Sequence, residues 1–154
     1  MEPGHQFEWA WLLERWGRLR NEEDAKKAAR TMFRLAVRDG VDRKRGVAIN
    51  ALLDDLAVHD PAARLWPQTE RIKAAAILVE AESDLDQRSS LLTELSDGIR
   101  GLELYLDTPT PGLWRDRMTE SGAFVEEAAP ASSFYHIVCA IAELTRYIEG
   151  GLGQ

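Results

Sequence analysis

The chain has 154 residues, with 19 Lys or Arg against 26 Asp or Glu and a formal net charge of −7. That length suits one domain, and its 45% hydrophobic and 29% charged residues are a globular balance rather than a disordered one. The acidic surplus argues against nucleic acid as the main partner, no apolar run approaches a membrane span, and the one cysteine, Cys139, fits a reducing cytoplasm.

Five segments read as helices. The first, over residues 7–19, is crowded with Trp9, Trp11, Leu12, Leu13 and Trp16 and is apolar on more than one side. The second, over 22–39, is expected to start from Asn21 as N-cap and stop at Gly40. Its apolar set Ala25, Ala29, Met32, Phe33, Ala36 and Val37 recurs at helical spacing, which leaves Lys26, Lys27, Arg30, Arg34 and Arg38 on a solvated face. Residues 46–59 read as a hairpin, with Val47-Ala48-Ile49 facing Ala57-Val58 around Asp54-Asp55.

The third helix, over 67–82, starts on a proline and is apolar nearly all round, so it should be buried on several sides. The fourth, over 87–106, carries a Leu92, Leu95, Ile99, Leu102, Leu106 stripe weakened by Gly98 and Gly101. A Pro-rich connection at 108–112 leads to a second hairpin over 113–126, turning at Glu120-Ser121-Gly122. The last helix, over 132–148, aligns Phe134, Ile137, Ile141, Leu144 and Ile148. Strand and helix do not alternate, so the pattern is all-α: paired helices joined by loops that bear hairpins.

No Gly-rich phosphate loop, paired zinc cysteines or nucleophile elbow is present. Chemistry must then rest on histidine. His5 precedes the Trp-rich helix, and Glu8, one turn on, is expected to reach its imidazole and raise its basicity. The same pair also fits a capping histidine with a first-turn glutamate. His136 lies in the first turns of the last helix, where the positive helix end favours a neutral ring able to accept a proton; a buried histidine satisfied by a nearby serine fits equally well. His59 reads as a loop residue. His5, Glu8 and His136 would also be a legal zinc set, but nothing in the sequence brings them together.

Trp66 through Arg71 places an aromatic plane, an amide and a carboxylate within one turn, and Trp114 through Arg117 is similar in kind. Sugar sites use such sets, with rings against C–H faces and polar groups on hydroxyls, although either tryptophan alone fits ordinary core burial.

Three motifs, Pro3-Gly4-His5-Gln6-Phe7-Glu8-Trp9, Arg64-Leu65-Trp66-Pro67-Gln68-Thr69-Glu70 and Ser133-Phe134-Tyr135-His136, together resemble the N-acylglucosamine 2-epimerase family. The resemblance runs in order along essentially the whole chain. It implies an (α/α)6 barrel with a sugar site at one mouth, and proton transfer at C2 through a cis-enediol without metal or other cofactor. By motif, His5 and His136 would be the acid/base pair, supported by Glu8. Trp66 and Glu70 would belong to the sugar-binding wall, with Trp114 a further substrate contact suggested by its own cluster. Ala131 stands where some epimerases of the family carry a tryptophan, which favours a monosaccharide isomerase, acting on mannose or a related sugar, over a disaccharide epimerase.

Five helices cannot close a barrel that needs twelve. The chain is therefore expected to form a partial (α/α)6 toroid corresponding to the C-terminal part of a family member, and to self-associate or require a missing N-terminal half. A truncated carbohydrate-binding remnant that dimerises, and a His-Glu-His metalloenzyme, are the competing expectations.

Overall fold

A computed structural model describes the backbone of residues 1–152 and the side chains of residues 1–150. Five helices dominate: α1 (Pro3–Arg20), α2 (Glu23–Gly40), α3 (Leu65–Ala81), α4 (Leu85–Leu106) and α5 (Ser132–Leu152). All five expected helices are present. α1 and α5 flank α3 in one row, while α2 lies against α1 and α4 against α3 on the outer side. The first turns of α1, α3 and α5 line one cleft, so these three helices run in parallel and the outer two return the chain. Among the described residues, no helix is long and apolar enough to cross a membrane.

The all-round apolar sequence of α3 has the predicted consequence. From Leu65 to Val79 every residue except Trp66 is buried. Its polar residues are held as well: Gln68 accepts from the Ala48 amide at 2.8 Å and donates to the Ala48 carbonyl at 2.9 Å, pinning the 41–48 hairpin to the helix. The two glycines of α4 are a means of close approach rather than a weakness. A Cβ on Gly101 would lie 2.8 Å from the Gly46 carbonyl oxygen, and one on Gly98 3.3 Å from Ile72. Helix propensity is sacrificed there by about 1 kcal/mol per glycine so that α4 can seat on α3 and on the 41–48 hairpin.

Several local expectations need correction. Asn21 does not cap the start of α2; at φ 57° and ψ 44° it closes α1 in the left-handed conformation that asparagine tolerates. The first hairpin is in fact two. β1 (Val41–Asp42) pairs with β2 (Val47–Ala48), and β3 (Ala51–Leu52) pairs with β4 (Val58–Asp60) through an irregular register. His59 consequently sits in β4, exposed. The second hairpin is reduced to a Met118–Phe124 bridge, and β6 (Arg117–Met118) pairs instead with β5 (Ala63–Arg64) just before α3.

The last helix turns only part of its expected stripe inward, with Leu144 packing against the core beside Ile137. Ile137 and Ala140 are buried against the core, whereas Phe134, Ile141 and Ile148 of the expected stripe are 55%, 53% and 56% exposed. α1 likewise has a buried side with Phe7 and Ala10 and an uncovered one with Trp9, Leu12, Trp16 and Leu19. An open apolar flank thus lies on α1 and α5, while α3 is covered.

Candidate active site

The three parallel N-termini enclose a cleft of about 350 Å³ lined by His5, Glu8, Arg64, Trp66, Ser132, Ser133 and His136. Trp66 stands between the histidines: its ring centroid is 5.0 Å from His5 and 5.7 Å from His136. Gly4 makes this possible, because a Cβ there would collide with the six-membered ring of Trp66. Converging helix N-termini add a positive potential, which suits a site where negative charge develops on oxygen.

His136 is held from behind. Its Nδ1–H donates to Glu70 Oε1 at 2.9 Å, and Glu70 is wholly buried. The other Glu70 oxygen lies 2.7 Å from Lys73 Nζ, itself 4.4 Å above the Trp11 ring. A buried carboxylate is tolerable when a cation faces it, and as a carboxylate it can only accept from Nδ1. In its neutral form the imidazole then carries its lone pair on Nε2. Glu70 therefore sits behind His136 and does not line this cleft, where the sequence motif had suggested it.

His5 is oriented differently from expectation. Its Nδ1 pairs at 3.0 Å with Glu2, not with Glu8, and both partners are about half exposed. Glu8 lines the cleft separately. The reason is local: Glu2 is the N-cap position of α1, so its carboxylate reaches the first turn from outside the helix.

A residue outside the three family motifs, though within the Trp114–Arg117 cluster, supports the cleft from behind. Asp116 is buried, and its Oδ2 accepts from Arg64 Nε and Nη2 at 3.2 and 3.1 Å while Oδ1 accepts from Ser133 Oγ at 2.9 Å. Its carbonyl also accepts from the Leu65 amide at 2.9 Å. One aspartate thereby ties the starts of α3 and α5 together. Its neighbour Trp114 is not brought to the cleft; it stacks on Phe134, centroids 5.8 Å apart and planes at 21°. Among the described residues no three His, Cys, Asp or Glu side chains stand close enough to share a metal ion, so His5, Glu8 and His136 do not form the zinc set that their types allow.

Residues 1–140 match the N-acylglucosamine 2-epimerase (GlcNAc 2-epimerase) family. The chain belongs to that family. It is 48% identical over 144 residues to the mannose-6-phosphate isomerase of Rhizobium meliloti strain 1021, covering 94% of this chain and 37% of that protein. A crystal structure of a D-mannose isomerase superposes with a TM-score of 0.82 at 26% identity, over 95% of this chain and 37% of the other. The cellobiose 2-epimerase of Bacillus thermoamylovorans B4167 superposes at 0.84 with 11% identity, over 97% and 40%, which shows a shared fold. This N-acylglucosamine 2-epimerase family chain spans little more than a third of the length of the relatives it matches, and its five helices are a partial (α/α)6 barrel.

Proposed function

We propose that this chain carries the proton-transfer half of a sugar isomerase, interconverting an aldose such as mannose with its ketose. The observation that supports it most is the pair of histidines in one cleft on either side of Trp66, one of them backed by a buried carboxylate. Trp66 gives the C–H face of a monosaccharide a plane to rest on, and Arg64, Glu8 and the serines offer partners for its hydroxyls.

In this reading His136, with Nε2 free, removes the proton from C2 of the open-chain aldose. Electrons move into the C1–C2 bond and onto O1, which takes a proton to give the cis-enediol. Loss of the O2 proton and return of a proton to C1 complete the ketose, and His5 serves as the second acid/base group. A C2–H is a weak acid, so positioning of the base and stabilisation of the enediolate by the helix N-termini must supply most of the rate. Epimerisation at C2 would use the same pair from opposite faces. The cytoplasm is the proposed setting, and the bare flanks of α1 and α5 are proposed to be covered by self-association.

The test is exchange of the C2 hydrogen of mannose with solvent deuterium, followed by NMR. Both histidines and Trp66 reside in this chain, so exchange above the buffer rate is expected, though slow without the remaining wall of the barrel. General acid/base groups contribute about a hundred- to ten-thousandfold, so His136→Asn should return exchange to near background while mannose still binds. Binding without any exchange in the parent chain would instead favour a non-catalytic sugar-binding remnant.

A further inference from the structure

A second cleft of about 350 Å³, sharing no lining residue with the histidine site, opens between the turn joining β1 to β2 and the outer face of α4. Arg43, Lys44, Arg45, Arg71 and Arg100 line it, with Asp97 as its one acidic lining residue. In a chain of net charge −7 this is an unusual concentration of positive charge.

Neighbouring carboxylates do not balance it. Arg71 and Arg43 share a single partner, Glu94, each at 2.8 Å. Arg45 pairs with Asp42 and Arg100 with Asp97, while Lys44 Nζ has no ion pair among the described residues. Five cations thus meet three carboxylates, an excess of two positive charges at one cleft.

Arg71 is the least satisfied member. Its side chain is 1% exposed, its Nη1 donates to the Gly46 carbonyl at 3.1 Å, and its Nε–H is buried without an acceptor. Burial, with the like charge of Arg43 adding to it, holds this guanidinium below its ordinary pKa against the pull of Glu94. A nearby anion would relieve both strains, since opposite charge favours the ionised form.

We infer that this cleft is an anion site for a phosphate or phosphomonoester dianion. The excess charge matches a dianion, and guanidinium forks suit its tetrahedral oxygens better than they suit chloride. The ligand is either free phosphate or the phosphate of a small metabolite such as a hexose phosphate. Binding here is independent of the histidine chemistry.

Titration of the intact chain with inorganic phosphate at constant ionic strength, followed in amide spectra, tests the assignment. Saturable shifts are expected at Lys44, Gly46, Arg100 and Gly101. Lys44 and Arg100 are exposed, so Lys44→Ala with Arg100→Ala should leave the fold intact. The pair should weaken binding by about tenfold or more, as loss of charged hydrogen bonds does. Arg34→Ala, at a cation that does not line this cleft, should change nothing. A parallel titration with a hexose 6-phosphate separates the sources: tighter binding than inorganic phosphate assigns a sugar phosphate, equal binding assigns free phosphate. Absence of saturable shifts, or shifts that persist unchanged in the double variant, would overturn the site.

Discussion

His136 Nδ1 and Glu70 Oε1 are 2.9 Å apart, and the carboxylate that accepts this hydrogen bond has no exposure to solvent. Such a carboxylate does for the ring what a backbone carbonyl does elsewhere: it selects the tautomer and fixes the ring plane. Glu70→Gln keeps the volume but removes the charge that holds both His136 and Lys73. Under the proposed mechanism, C2 exchange should fall by about ten- to a hundredfold with mannose affinity little changed. Imidazole ¹⁵N shifts give a second, activity-independent reading. Retention of the wild-type tautomer and exchange rate in the variant would remove Glu70 from the mechanism.

Lys73 predicts a stability effect of its own. It is 5% exposed, and its removal leaves the Glu70 charge buried without its cation. Breaking a buried pair from one side typically costs about 3–5 kcal/mol, so Lys73→Met should lower the unfolding free energy by roughly that amount. Adding Glu70→Gln removes the stranded charge and should recover part of the loss. Denaturant unfolding of both single variants and the double variant closes the cycle; simple additivity would show that the two groups do not act as a pair.

The helices were readable because their apolar spacing is long and repeated. α3 in particular declares its burial from Ile72 to Val79 by composition alone. The hairpins were not, since two-residue strands such as Val41–Asp42 show no alternation. Spacing within a helix likewise suggested Glu8 as the partner of His5, but an N-cap glutamate upstream competes for the same ring. Glu70 was singled out by its motif, yet its direction was hidden: on a helix buried all round, periodicity cannot say which residue faces a cleft and which backs a neighbour. Asp116 lies 52 residues from Arg64 and 17 from Ser133, and no local pattern announces that meeting.

Gly4 offers a test of the cleft wall that leaves every polar group in place. Gly4→Ala forces the Trp66 ring to move, and overpacking of this kind costs about 1–3 kcal/mol. Mannose binding, read from the Trp66 indole N–H resonance, is expected to weaken, while C2 exchange at saturating sugar should suffer less. An unshifted Trp66 resonance with native affinity would show that the ring is not a sugar platform.

Tyr105 should behave in the opposite sense to most core positions. It is wholly buried, its ring meets Phe124 edge-on at 5.1 Å, and its hydroxyl has no hydrogen-bond partner. Burial also pushes its pKa upward, so the phenol stays neutral across the accessible pH range. Tyr105→Phe retains the ring contact and deletes an unsatisfied polar atom, whose burial costs about 1–3 kcal/mol. The variant should melt at the same temperature as the parent or higher. A clear drop in melting temperature would show that the hydroxyl is satisfied in solution.

The final prediction concerns the uncovered helices at the two ends of the inner row. On α1, Trp9, Trp16 and Leu19 are 51%, 49% and 82% exposed; on α5, Phe134, Val138, Ile141 and Ile148 form a matching strip at helical spacing. Patches on soluble monomers seldom exceed a few hundred Å². Two such strips, each running most of the length of a helix, therefore favour association, and a two-fold dimer is the simplest closed form. Light scattering of the isolated chain should give a mass of at least two copies. Placing one glutamate on each strip, Trp16→Glu and Ile141→Glu, puts charge where apolar contact is needed and should return the mass to that of a monomer without lowering helicity. Neither Trp16 nor Ile141 lines the anion cleft or the histidine cleft, so phosphate shifts should survive in the same variant. A parent chain that remains monomeric at every concentration, with no apolar-dye binding, would mean that the exposed strips are tolerated by water as they stand.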